Sequence, residues 1–190
     1  MQTHRLASPT GLKNSAGLTQ NRPQILADYL AMTSLVRIDQ HLLSDLSQRA
    51  RRHSRLRLNH NFHEPPDVVN RMLNAIEPDS YICPHRHQHP PLEESFLVLR
   101  GAGAVIVFAD TGELEDILVL DSRRQCWGVE IPAGRYHTIL SRAVGSVFYE
   151  VKQGPYDPQR AKEFAPWAPL EGTPEAPAYL QRLHRWVDQA

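Results

Sequence analysis

Short segments with the alternation of β-strands fill the middle of this chain and constrain its fold more than any other feature. Between residues 55 and 152, apolar and polar residues alternate with a period of two, and Pro, Gly, Asp or Asn interrupts each run. The segments are 55–59, 68–76, 81–83, 95–100, 104–108, 114–120, 126–131, 137–140 and 146–152. Nine short strands at nearly even spacing predict an all-β sandwich or jelly roll. Between two of them, Asp110-Thr111-Gly112 predicts a hairpin turn with Gly112 at positive φ.

The flanks of this region follow other patterns. Leucines and an alanine recur at helical spacing over residues 38–52, Asp39 is a candidate N-cap, and three arginines favour the C-terminal end of the helix. Residues 1–34 show no hydrophobic period and predict a mobile arm. After Gly154, six prolines predict a segment that wraps the domain and ends in a short helix over 179–187. We therefore expect one domain over 35–190, with its motif core at about 80–152.

Composition excludes several classes of partner. Lys plus Arg and Asp plus Glu number 21 each, which argues against bulk nucleic acid or an anionic membrane surface as the partner. The longest apolar run, 104–109, is far shorter than the about 20 residues of a membrane-spanning helix. Two cysteines make no disulfide framework, and the polar N-terminus is unlike a signal peptide. These features predict a cytoplasmic protein.

Histidine is the residue type used unusually, with ten in the chain. His85 and His87 are two positions apart in an extended segment, so their imidazoles share one face. Glu94 lies seven positions after His87, at the start of an apolar strand where a carboxylate is a poor choice for packing. Further on, a Pro132-Ala133-Gly134 turn precedes His137 and would aim its imidazole back into the fold.

These residues resemble the two motifs of the cupin superfamily, which are His85-x-His87, Glu94 and Gly101, followed by Pro132-x-Gly134-x-x-His137. The resemblance implies a small jelly-roll barrel that binds one divalent metal through His85, His87, Glu94 and His137. Two departures are visible: the step from His87 to Glu94 is longer than usual, and Ser141 stands where the second motif commonly ends in Asn. The longer step admits Glu93 as a ligand, but the seven-residue step to Gly101 favours Glu94.

Further motifs resemble the WbuC-type cupin-fold metalloproteins, which are met in bacterial surface-polysaccharide gene neighbourhoods. They are Arg57-x-Asn59-x-Asn61-x-His63, Asn70-Arg71-Met72, Tyr81-x-x-Pro84-His85-Arg86-His87, Glu150-x-Lys152-x-Gly154-Pro155-Tyr156 and Trp167-Ala168-Pro169. The likeness covers about residues 35–180. Because Met32 opens the matching region, it stays open whether residues 1–31 belong to the native protein.

Candidate pocket residues follow from these motifs. The substrate-binding candidates are Arg57, Asn61, Arg71 and Tyr81, and the candidates for moving protons or orienting a negative group are Glu150, His63 and Lys152. A solvated edge strand would explain the alternating Arg57–His63 residues equally well, and a cross-strand ion pair would explain Glu150 and Lys152. We expect His89 at the surface and Cys83 in apolar packing.

Three functions are compatible with such a site. The first is a metal-dependent enzyme that acts on a sugar or sugar-derived acid, with Fe, Mn, Ni, Co or Zn as its single divalent metal. The second is a non-catalytic metal-containing protein that binds a carbohydrate or acid, and the third is a structural metal that braces the barrel. In each ligand-binding case the partner is a small, anionic, carbohydrate-derived molecule, and a homodimer is compatible with the fold.

Overall fold

Ten strands and two helices make up the part of the chain that a computed structural model describes, residues 35–159 and 162–190. The helices are α1 (Gln40–Arg52) and α2 (Ala176–Gln189). The strands are β1 (Arg57–Asn61), β2 (Val69–Ile76), β3 (His85–Arg86), β4 (Glu94–Arg100), β5 (Ala102–Phe108), β6 (Leu114–Asp121), β7 (Gly128–Ile131), β8 (Tyr136–Ser141), β9 (Ser146–Gln153) and β10 (Glu163–Phe164). The predicted arm over residues 1–34 lies outside the described residues.

The strands form two antiparallel sheets of five strands each. The first sheet has the order β1-β2-β9-β4-β7 and the second β10-β3-β8-β5-β6. Without the edge strands β1 and β10, the remaining eight strands are distributed over the two sheets in the order of a jelly roll. This arrangement confirms the predicted all-β class and agrees with the fold implied by the cupin resemblance.

The space between the sheets is apolar at one end and polar at the other. The apolar part consists of Ile76, Phe96, Val98, Val105, Leu120, Ile131, Ile139 and Phe148. Along β9, residues that face inward at alternate positions change from Phe148 to Glu150 and Lys152, and in β4 Glu94 precedes Phe96 in the same way. The polar end is therefore built from the start of β4 and the end of β9.

Helix α1 covers the outer face of the first sheet. Its N-cap is Asp39, whose carboxylate accepts a hydrogen bond from the Leu42 backbone N–H at 3.0 Å, as the sequence predicts. Leu43, Leu46 and Ala50 are buried and pack with apolar residues on the outer face of β2 and β9. The amphipathic stripe predicted from the sequence therefore places α1 against the sheet.

The C-terminal region covers the outer face of the second sheet. Ala165 and Ala168 pack with strand residues such as Phe108, and α2 adds Leu180 and Leu183 to the same cluster. This confirms the predicted wrapping segment, although α2 is longer than predicted because Pro177 is compatible with the first turn of a helix. Among the described residues, neither helix has the length and apolarity needed to cross a bilayer.

The hairpin turn between β5 and β6 follows the prediction. Gly112 has φ +91°, and its N–H donates to the Ala109 carbonyl at 2.9 Å. The indole N–H of Trp167 donates to the Asp110 carbonyl at 3.1 Å, which ties the C-terminal segment to the turn.

The prediction of a strand over residues 81–83 is wrong. Side chains, rather than a neighbouring strand, bind the carbonyl oxygens of these three residues. The Arg57 guanidinium donates to the carbonyl of residue 81 at 2.9 Å, the Thr138 hydroxyl to that of residue 82 at 2.7 Å, and His85 Nδ1 lies 3.0 Å from that of residue 83. Two of these side chains come from different sheets, so the segment is fixed to both.

Candidate metal centre

Three histidines and one glutamate meet at the polar end of the interior. The candidate ligand atoms of His85, His87, Glu94 and His137 all lie within 4.8 Å of one another, and all four residues are buried. His85 in β3 and His137 in β8 are direct cross-strand neighbours, whereas Glu94 begins β4 in the facing sheet. The structure thus brings together the four residues that the sequence motifs single out, and it places Glu93 outside, at the surface.

A glycine turn positions the segments that carry His87 and His137. Gly134 has φ +76°, a backbone conformation that residues with a Cβ rarely adopt. Its N–H donates to the His87 carbonyl at 3.2 Å, so the turn before β8 is hydrogen-bonded to the segment that follows β3. Two residues after Gly134, β8 begins and His137 enters the interior.

The protonation of two histidines follows from their backbone contacts. His85 Nδ1 lies 3.0 Å from the Cys83 carbonyl oxygen, and His137 Nδ1 lies 2.9 Å from the Arg135 carbonyl oxygen. A carbonyl oxygen only accepts hydrogen bonds, so each Nδ1 carries a proton and each Nε2 of a neutral ring presents a lone pair. Histidine ligands of metals are commonly oriented by such carbonyl contacts.

Two of the ring nitrogens lie against the Glu94 carboxylate. His137 Nε2 lies 3.0 Å from Oε2 of Glu94, and His87 Nε2 lies 2.8 Å from Oε1 of the same carboxylate. Neither ring nitrogen of His87 makes a directed hydrogen bond with the described residues. Ring nitrogens and a carboxylate that converge on one point repel each other through their lone pairs unless a proton or a metal ion lies between them. This donor set therefore fits a divalent metal ion.

Electrostatics favour the metal-binding states of two of the candidate ligands, His85 and Glu94. Burial lowers the pKa of His85 well below its usual value, with Lys162 acting in the same direction, so its ring is neutral. Burial alone would raise the pKa of Glu94, but hydrogen bonds from His137 and His87, which require a proton on Nε2, and the nearby Lys152 hold that pKa well below its usual range. Neutral imidazoles and an ionised carboxylate are the forms required for coordination.

Lys152 and Glu150 form an ion-pair network with Glu94. The Lys152 ammonium lies 3.0 Å from Oε1 of Glu94 and 3.1 Å from Oε1 of Glu150, and the Asn74 amide donates to Oε2 of Glu150 at 2.7 Å. Burial alone would lower the pKa of Lys152, but the charges of Glu150 and Glu94 raise it above its usual value. Lys152 is therefore a largely buried cation that holds two carboxylates.

Arg57 and Asn61 lie on the inner face of the first sheet, at its edge. The register pairs Arg57 with Ile76 and Asn61 with Met72, whose partner in turn is Glu150. Asn61 is exposed and its side-chain oxygen accepts a hydrogen bond from the Asn59 amide at 2.6 Å. Roles for Arg57 and Asn61 in ligand binding stay predictions.

Arg57 forms an ion pair with Glu171 of the C-terminal segment, with Nη2 of Arg57 2.6 Å from Oε2 of Glu171. Arg55 contacts the same carboxylate at 2.8 Å. Burial alone would raise the pKa of Glu171, but the hydrogen bonds from Arg55 and Arg57 lower it to about 2. Glu171 therefore ties the end of the wrapping segment to the start of β1.

Replacing Glu171 with Gln is expected to destabilise the protein at pH 7 by about 1–2 kcal/mol, a value discounted because a third of the carboxylate is exposed. Its pKa is lower in the folded than in the unfolded chain, so this stabilisation is complete above about pH 4.5 and is lost as the pH falls towards 2. Urea unfolding of parent and variant at pH 7 and pH 3 measures this contribution to the free energy of unfolding. A difference in unfolding free energy that does not shrink at pH 3 would contradict this role.

The structure does not bring Arg71, Tyr81 or His63 to the metal centre. Arg71 lies on the outer face of β2, opposite to Met72, and its guanidinium donates to the Phe62 carbonyl at 3.0 Å. Tyr81 is buried with the C-terminal segment, where its hydroxyl donates to the Pro169 carbonyl at 2.7 Å. His63 Nδ1 lies 3.0 Å from the Arg71 backbone nitrogen. Each of these polar groups therefore has a local partner in the fold.

Two polar residues near the centre were not singled out by the sequence motifs. Asn74 orients Glu150, and the available signal was a polar residue at an inward position of an otherwise apolar strand. Lys162 acts electrostatically on His85 and Glu94, but it precedes a strand of only two residues, which is too short for any period to be recognised. His89 and Cys83 are exposed and buried, respectively, as expected.

Comparisons with known proteins give partial matches. A family model described as "Domain of unknown function (DUF6016)" matches residues 38–120, and no curated protein matches the chain. The capsular polysaccharide assembling protein CapF from Staphylococcus aureus is 24% identical over 56% of this chain, with a TM-score of 0.45. The match covers only 28% of the CapF chain, so this chain spans less than a third of its length.

Two further solved structures are similar over about half of the chain. The oxalate decarboxylase of Lactobacillus farciminis is 19% identical over 52% of this chain and 27% of its own, with a TM-score of 0.40. KdgF from Halomonas sp. is 15% identical over 54% of this chain and 82% of its own, with a TM-score of 0.41.

Proposed function

We propose that this chain is a mononuclear metalloprotein of the cupin type, in which His85, His87, Glu94 and His137 hold one divalent transition metal, Fe, Mn, Ni, Co or Zn. The observation that carries the proposal is the orientation of the donors. Nδ1 of His85 and of His137 donates its proton to a backbone carbonyl, so Nε2 of each ring is the nitrogen available to a metal, beside an ionised, buried carboxylate. Oxygen and nitrogen donors of this kind suit borderline divalent metals and not soft thiolate-bound ions.

We further propose that the protein is an enzyme acting on a sugar or sugar-derived acid, of the WbuC type and within surface-polysaccharide metabolism. A divalent metal held there would act as a Lewis acid on an anionic oxygen ligand. Lys152 keeps Glu94 in place through its ion pair, and Asn74 fixes the Glu150 carboxylate, which is the group that accepts or returns a proton. The motif resemblance and the cationic residues at this end of the fold support an acidic ligand.

Elemental analysis of protein purified without chelator or affinity-tag histidines tests the metal proposal. The parent is expected to carry one transition metal per chain and the His137→Ala variant none, because removal of one of four ligands leaves a weakly held ion. His89→Ala is the matched control, since His89 is an exposed histidine only two positions after His87. A parent that stays metal-free after attempted reloading would contradict the proposal.

Incubation of the metal-loaded protein with nucleotide sugars and sugar acids tests the enzymatic proposal. Metal-dependent conversion of one of them, lost in Glu150→Gln, is the expected result. Tight binding with the ligand recovered unchanged would instead assign the non-catalytic binding function. A metal that raises the melting temperature without any ligand-dependent shift would assign a structural role.

A further inference from the structure

Lys162 lies on the same face as the metal ligands of the second sheet. Phe164 in β10 is the cross-strand partner of His85, and the two rings are 6.4 Å apart between centroids. In an extended segment, side chains two positions apart share a face, so Lys162 is on the face of Phe164 and His85. Glu163 points the other way, where its carboxylate accepts hydrogen bonds from Arg86 at 2.6 Å and Tyr136 at 3.0 Å.

The ammonium group of Lys162 lies among the charges of the site. It interacts electrostatically with Glu94, Lys152 and Glu150 of the first sheet, and it lowers the pKa of His85 in the second. The residue nevertheless keeps contact with solvent. A side chain that is exposed and still close to buried groups of both sheets lies at the opening of the interior.

Lys162 also differs from the other cations on this side of the molecule. Lys152 is paired with Glu94 and Glu150, and Arg57 is paired with Glu171. Lys162 makes no hydrogen bond or ion pair within residues 35–159 and 162–190. Burial lowers its pKa, because desolvation disfavours the charged form and no carboxylate is hydrogen-bonded to it within the described residues.

We propose that Lys162 binds a carboxylate group of the substrate while another oxygen of the same substrate ligates the metal. Lys162 would thereby select acidic over neutral ligands. The inference rests on the proposed function, because it needs a metal held by the four ligands. A single ammonium matches the single charge of a carboxylate, whereas a phosphate dianion is commonly held by several donors or by a bidentate arginine. Lys162 is thus a specificity-determining residue at the entrance to the centre.

Binding of glycolate and of glycolamide to the Co(II)-loaded protein tests this inference. Both probes offer a hydroxyl to the metal, but only glycolate carries a charge, and the visible absorption of Co(II) reports binding of either. Lys162→Gln is expected to weaken glycolate binding about 10-fold or more, since a charge-assisted hydrogen bond is lost. Glycolamide affinity should stay within about twofold, and Lys162→Arg should keep most of the glycolate affinity.

Two controls separate this role from others. Arg49→Gln removes one positive charge from α1 on the outer face of the first sheet and should leave glycolate affinity unchanged. Cobalt content, measured on the same samples, should be one per chain in all variants. An unchanged glycolate affinity in Lys162→Gln, an equal loss in Arg49→Gln, or no glycolate binding by cobalt-loaded parent would each overturn the inference. A parent that takes up no cobalt instead overturns the proposed function, and the Lys162 inference with it.

Discussion

Replacing Lys152 with Met is expected to destabilise the metal-free protein by about 3–5 kcal/mol, because removal of one partner leaves buried charges uncompensated. Glu94 and Glu150 are both buried and share the Lys152 ammonium at 3.0 and 3.1 Å, respectively. Without the lysine, the two carboxylates face each other across a cavity that the shorter, uncharged side chain fills only in part. Urea unfolding of chelator-treated protein, followed by circular dichroism, measures the change in unfolding free energy.

Arg49→Met is the matched control for this experiment, since it removes one positive charge from an exposed side chain on α1, on the outer face of the first sheet. It should change the unfolding free energy by no more than about 0.5 kcal/mol. The double variant Lys152→Met with Glu150→Gln should recover part of the loss, because one of the two unpaired charges is then absent. A loss below about 1 kcal/mol in Lys152→Met would show that the ion-pair network contributes little to stability.

Metal binding is expected to stabilise the folded protein, and Glu94→Gln is expected to abolish most of that effect. At a free metal concentration 100 times the dissociation constant, the parent gains about 2.7 kcal/mol. If loss of the only anionic ligand weakens the affinity about 100-fold, the variant at the same metal concentration gains only about 0.4 kcal/mol. Thermal unfolding with and without added Zn(II) or Co(II) measures both values.

Glu93→Gln provides the comparison, because Glu93 is the exposed neighbour of Glu94 and carries the same charge. The metal-induced stabilisation of this variant should equal that of the parent. An equal metal-induced stabilisation of Glu94→Gln and Glu93→Gln would show that Glu94 does not bind the metal and would contradict the four-residue centre.

Much of the fold could be predicted from the alternation of residue types along the chain. Strand β4 alternates between buried and more exposed positions because only one of its faces packs against the interior, whereas β2 and β9 are buried on both faces where α1 covers the sheet. The segment over residues 81–83 shows the limit of this reasoning. Its residues are as buried and apolar as a strand, but their carbonyls are bound by the side chains of Arg57, Thr138 and His85, which no local pattern reveals.

The candidate site likewise contains residues that the sequence predicts and residues that only tertiary contacts reveal. The four metal ligands carry a recognisable spacing, because strand alternation and a glycine turn fix how they converge. Alternation also shows that Arg57 and Asn61 share a face, but only the register with β2 shows that this face is the inner one and that Arg71 lies on the other. Lys162 depends on a pairing between β3 and the distant β10, which is set by tertiary contacts alone.

The metal centre joins parts of the chain that are far apart in sequence. His137 follows Glu94 by 43 positions, and Lys152 follows it by 58. Contacts over such separations form late in folding, since the entropy of closing long loops opposes them until neighbouring strands have paired. We infer that the centre does not exist as a unit until the two sheets have closed on each other. A bound ion would therefore prolong the lifetime of the folded chain without accelerating its formation.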